Sequence, residues 1–220
     1  SDYAAQYARA LAAGRLVREA VIAAEQAMSL SPSDPLTLDT LGVVFTQANA
    51  HTQAVDAFRQ AAALMPDSAS YRSNLATSLT FSGDLEGAER EYEACIALEP
   101  RYWKAHLALA QLRKHTREHN HLDRLRSLLK QFHGEESARL YLNLALAKEL
   151  EDLRDYVSSF EHLKAGKAAG ISEESACLVH RETCELCCLQ ISGHTVCLLD
   201  LVNQVAPRRG GQTEAQVNGC

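Results

Sequence analysis

Five residues near the C-terminal end have the types and spacing of a zinc site. His180, Cys184, Cys187, His194 and Cys197 follow the order H-x3-C-x2-C-x6-H-x2-C. Cys184 and Cys187 form a C-x2-C pair, which lets two thiolates reach one ion, and His194 with Cys197 would close a tetrahedron. Two other chemistries use the same residues: the thiols can form disulfides, or pack as small apolar groups. Cys177, Cys184 and Cys188 recur on one helical face beside Leu178 and Val179, which favours packing. The ligand order matches no common zinc module, so no metal or other cofactor is assigned. A second candidate is mid-chain. His115 and His119 are four residues apart, a spacing that suits a metal on a helix face, and His121 is close by. The segment falls at a turn between helices, where exposed polar residues are ordinary, so a solvated loop is expected. Nothing marks a strained nucleophile or a paired base, and no catalytic residue is assigned.

Composition narrows the classes. The chain has 220 residues, 46% hydrophobic but only 6% aromatic. That balance favours thin helices packed closely over a thick β core. A net charge of -6 gives no basic field for nucleic acid. No apolar run reaches the length of about 18 residues that would span a membrane, and the first residues lack the layout of a signal peptide. Only Cys95 occurs before residue 177. One isolated thiol in a helical body fits a reducing compartment, and a cytoplasmic location is expected.

Whatever chemistry these side chains do, a repeated element must position them. Pro32, Pro66 and Pro100 recur at intervals of 34 residues. At the same interval stand Ala8, Gly42, Ala76 and Ala110; then Ala20, Ala54 and Ala88; then Ala27, Ala61 and Cys95. Small residues belong where helices cross, because a larger side chain would force the backbones apart. Leu11, Phe45, Leu79, Phe58 and Tyr92 fill the spaces between crossings. Each proline ends a second helix, and a break at Gly14, Asn49 or Gly83 divides each unit into two antiparallel helices. Ser33 or Asp34 can cap the helix that starts at Pro35.

This pattern resembles the tetratricopeptide repeat. The resemblance implies an all-α, right-handed superhelix of antiparallel helix pairs, with first helices lining a concave groove. Units are expected at 1–34, 35–68, 69–102, a degenerate one at 103–136, and a fifth at 140–170. In the fourth, Leu122 stands where a small residue is expected and Gly134 replaces the proline. A wider crossing or shifted register follows. Residues 171–206 read as a C-terminal helical cap, with Ser172 as an N-cap, and 207–220 as a disordered tail. The "LEGAEREYEA" face is expected to meet water.

A protein or peptide partner is expected in the groove, read by Arg9, Asp39, Val43, Gln47, Asn74, Thr77, Phe81, Lys104 and Gln111. Chaperone-binding relatives hold a peptide carboxylate with a lysine and asparagine clamp. Here Ala5, Asp39 and Ser73 replace the lysine and Thr77 the asparagine, so that clamp is absent. The groove could instead be filled by the chain's own 173–205 segment. Residues 103–168 further resemble the repeats of bacterial proteins that fuse tetratricopeptide repeats to a sulfotransferase. Leu109 to Lys114, Asn120-His121-Leu122 and Ala147 to Leu153 carry that likeness. It implies an alternative role: positioning an acceptor for a catalytic domain. The "PRRGGQT" at Pro207 to Thr213 resembles that domain's phosphate loop only superficially, and no catalytic residue carries over.

Overall fold

A computed structural model describes residues 2–169. The expected cap at 171–206, the tail at 207–220, Ser172 and the His180, Cys184, Cys187, His194, Cys197 set lie outside the described residues.

The described residues form ten α-helices and no strand. They run α1 (Asp2–Ala13), α2 (Val17–Ser29), α3 (Pro35–Gln47), α4 (His51–Leu64), α5 (Ala69–Ser82), α6 (Leu85–Leu98), α7 (Trp103–Leu112), α8 (Leu122–Gln131), α9 (Glu136–Asp152) and α10 (Tyr156–Ala169). Pro32, Pro66 and Pro100 each follow the end of a second helix. Pro35 occupies the first turn of α3, and Asp34 is its cap, accepting a bond from the Thr37 N–H at 2.8 Å. That cap satisfies a backbone donor the helix itself cannot.

One turn geometry recurs within the helix pairs. The amide of Leu16 donates to Leu11 O, that of Ala50 to Phe45 O and that of Asp84 to Leu79 O, at 3.0, 2.9 and 3.0 Å. The left-handed residues are Arg15 (φ 60), Asn49 (φ 57) and Gly83 (φ 90), one repeat apart. In the first unit the left-handed residue is therefore Arg15 and not Gly14. Arg154 (φ 63) repeats the turn in the last pair, where Asp155 N–H donates to Leu150 O at 2.9 Å.

The small positions lie where the sequence puts them. Ala8, Ala20, Ala54, Ala76, Ala88 and Ala110 are all at most 1% exposed. Gly42 shows why. A β-carbon there would meet the Phe58 ring at 2.6 Å. At the positions equivalent to Phe58 in the other two regular units stand Ala24 and Tyr92, and all three residues are buried.

Packing follows one scheme through the first three units. Each second helix (α2, α4 or α6) packs on its own first helix and on the next one. First helices also meet each other, α1 with α3 and α5 with α7. A bond from Asn74 Nδ2 to Asp39 Oδ1 at 2.8 Å links α5 to α3.

The fourth unit departs from the scheme. α7 has ten residues and ends in an extended Arg113, and α8 begins nine residues later. Instead of closing on each other, α7 and α8 each pack on α9. Leu122, which stands where a small residue is expected, is buried. α9 starts at Glu136, ahead of the expected 140. The core divides here. Ala105, Leu109 and Leu112 of α7 join the apolar cluster of the first three units. Trp103, Leu107 and Ala110 join a second cluster with Leu125, Leu142 and Leu146.

Candidate partner face and a buried histidine–glutamate cluster

On the first-helix face, the predicted residues separate into two groups. Arg9, Gln47, Phe81 and Lys104 are exposed, while Asp39, Val43, Asn74, Thr77 and Gln111 are half-buried. Asp39 and Asn74 are bonded to each other. Burial raises the Asp39 pKa above the usual carboxylate value, and the Asn74 bond opposes that shift. Thr77 turns inward, donating to Ser73 O at 2.9 Å and lying 3.0 Å from the Tyr92 hydroxyl. Val43 packs against the core. The Phe81 ring stacks on His51, with centroids 5.1 Å apart and planes 15° from parallel.

Between α7 and α8 the chain builds a site that sequence reading took for a solvated loop. His115 is 6% exposed and Glu149, on α9, is 0% exposed. Glu149 collects the loop's C-terminal end. The His121 N–H donates to its Oε2 at 2.7 Å, and His121 Nδ1 lies 2.7 Å from its Oε1. His115 Nε2 is 3.7 Å from the same Oε1 and 3.1 Å from Ala110 O. The two imidazoles meet edge to face at 5.2 Å. Asp152, one turn further along α9, accepts from the His115 N–H at 2.9 Å and pairs with Lys148 at 2.6 Å. Asn120 closes the loop on itself, its Nδ2 donating to Thr116 O and Arg117 O at 2.9 Å each.

Burial alone would push Glu149 up. The two hydrogen bonds from His121 and the charges of His115 and His121 outweigh it, so the carboxyl sits below its ordinary value. The site therefore holds an ionised carboxylate away from solvent. A second layer surrounds it. His121 Nε2 lies 3.5 Å from Glu93 Oε1, and Arg124 grips Glu93 with two bonds of 2.7 and 3.0 Å. Arg113 pairs with Glu89 at 2.5 Å. The α6 charges expected to face water are thus largely engaged: Glu89 by Arg113, Glu93 by Arg124 and Glu91 by Arg72 at 2.9 Å.

His119, the spacing partner of His115, is exposed and outside this cluster. The residue that sequence reading missed is Glu149. A signal for it exists: Ala138, Leu142, Ala145 and Glu149 follow a helical stripe whose other members are core. A carboxylate continuing a buried stripe needs a partner.

Helix pairs stepped along the chain, each supplying its neighbour's apolar wall, define an α-helical repeat solenoid. A solved structure shares this fold. The crystal structure of MamA superposes with a TM-score of 0.53 at 20% identity, covering 73% of this chain and 91% of that one. The repeat-containing thioredoxin TTL4 of Arabidopsis thaliana is 34% identical over 80 residues, which is 36% of this chain and 12% of that protein. This chain thus spans only a small part of that relative. An O-GlcNAc transferase mutant from Thermobaculum terrenum overlaps with a TM-score of 0.43 at 23% identity, over 57% of this chain and 26% of that one. No family model matches the chain. The repeat length, its small-residue positions and the MamA superposition show a helical-repeat fold of the tetratricopeptide type. No helix among the described residues is long and apolar enough to cross a membrane.

Proposed function

We propose that this chain is a non-catalytic interaction scaffold that holds a partner peptide or helix along its first-helix face. One observation carries the reading. Two positions of the first helix stay exposed through three successive units, while in the second and third units the residues between them are buried or half-buried. At one stand Leu36, Ser70 and Lys104; at the other, Ala13, Gln47 and Phe81. A rigid frame thus presents side chains that differ from unit to unit at a fixed step. That arrangement reads an extended or helical segment residue by residue. Leu36, at 62% exposure, and Phe81, at 36%, supply apolar contacts. Arg9, Gln47 and Lys104 supply polar ones.

The test is affinity capture on the full chain beside a Phe81→Ala, Lys104→Ala variant. Loss of two contacts at a small interface weakens recovery of specific partners by about tenfold or more. Equal recovery by both proteins rejects the assignment. A second reading, acceptor positioning for a sulfotransferase domain, draws support from the resemblance of residues 103–168. It predicts that the source reading frame continues into a phosphate-binding strand–loop–helix.

A further inference from the structure

We propose that His115, His121 and Glu149 form a binding site for one divalent transition-metal ion, with zinc as the reference ion. Each residue offers one ligand atom, and these atoms lie within 4.8 Å of one another. A tetrahedral ion with bonds of about 2.0–2.1 Å separates its ligands by about 3.3 Å. The two separations that involve Glu149 Oε1 straddle that value: 2.7 Å to His121 Nδ1 and 3.7 Å to His115 Nε2. Coordination geometry is reached when the two rings and the carboxylate rotate and His115 Nε2 gives up its bond to Ala110 O, leaving the ring proton on Nδ1.

Three further features suit an ion. The ligands are two imidazoles and one carboxylate, a donor set that binds zinc and leaves a fourth position open. A cavity of about 510 Å³ is lined by both histidines but not by Glu149, so an ion would reach the cluster from the histidine side. The support behind the ligands is also in place. A ring nitrogen that binds a metal leaves its partner nitrogen to donate, and a carboxylate commonly receives that bond. His121 Nε2 has Glu93 at 3.5 Å, and Arg124 holds Glu93 in position. Glu149 is drawn from α9 and both histidines from the ends of one loop, so a bound ion would lock the loop to the helix.

The test uses the full chain, stripped with a chelator and titrated with zinc and then with cobalt. The C-terminal thiols are a competing sink, so the reference protein carries Cys184→Ser and Cys187→Ser. That protein is expected to take up one zinc per chain, and its cobalt form to show a tetrahedral spectrum without thiolate charge transfer. Adding His121→Ala or Glu149→Gln is expected to weaken binding by at least about 100-fold, and Glu93→Gln by about 10–100-fold. Circular dichroism checks that each variant is folded. Should the ligand variants fail to fold, the thermal midpoint of the reference protein decides. Zinc at about 100 times its dissociation constant is expected to raise it by about 5–10 °C. Uptake below about 0.2 zinc per chain, no midpoint shift, or binding unchanged by the ligand variants overturns the proposal.

Discussion

The first three helix pairs and the last two solve the same packing problem with different chemistry. From α1 to α6, neighbouring helices meet through alanines, one glycine and one buried thiol, and a short turn with one left-handed residue closes each pair. Burial pushes that thiol, Cys95, up to about 11, with Glu99 adding to the shift and Arg72 opposing it, so it packs as an apolar group. At α7 the turn is replaced by nine residues. The space between α7 and α8 is bridged by His115, His121 and Glu149. A solenoid can thus lose a tight crossing without losing its stack, provided polar groups brought into the gap satisfy one another.

The contrast can be broken on its apolar side first. Phe45→Ala empties a site that is 1% exposed, and is expected to cost about 3–5 kcal/mol in chemical denaturation at any pH in the folded range. Glu149→Gln attacks the polar side. It keeps the shape but removes the charge that His121 and His115 face, for an expected loss of about 2–3 kcal/mol. Here the pH dependence separates the two regions. Glu149 titrates below its ordinary 4.5 in the folded chain, so its stabilising contribution is complete above that value and lost as pH falls through the folded one. The gap between wild type and Glu149→Gln is therefore expected to narrow in acid, while the Phe45→Ala gap stays constant. A gap that does not narrow would mean the carboxylate is not held by charge.

Smaller effects sharpen the picture of the regular units. Gly42→Ala drives a methyl into the Phe58 ring, for an expected loss of about 1–2 kcal/mol. Gly83→Ala meets no neighbour within 4 Å, but its φ of 90° strains any side chain, for about 1 kcal/mol. Arg59→Ala removes an exposed pair with Asp56 and should change the melting point by less than about 2 °C. A Gly83→Ala cost larger than that of Gly42→Ala would show that turn conformation outweighs crossing distance.

The regular region was legible because its causes are local and periodic. A small residue at a crossing, a proline after a helix and a left-handed turn each leave a mark at the same step. Even there, the left-handed place in the first unit fell to Arg15 beside the more obvious Gly14. The histidine loop was not legible. His115 and His119 have the spacing of a helical pair, yet no helix runs through them. The partner of His115 and His121 is a glutamate 28 residues beyond His121, on another helix. The acidic α6 face reads as solvated until Arg113 and Arg124 arrive from the fourth unit.

By itself the sequence determined the repeat length, the helix pairs and the residues that must be small, because steric exclusion at a crossing acts on each position directly. Only the tertiary structure decided that α7 and α8 part, that α7 divides its faces between two cores, and that Glu149 is buried among imidazoles. Those outcomes depend on which surfaces meet after the chain has stacked, and electrostatic pairing across tens of residues has no period to read.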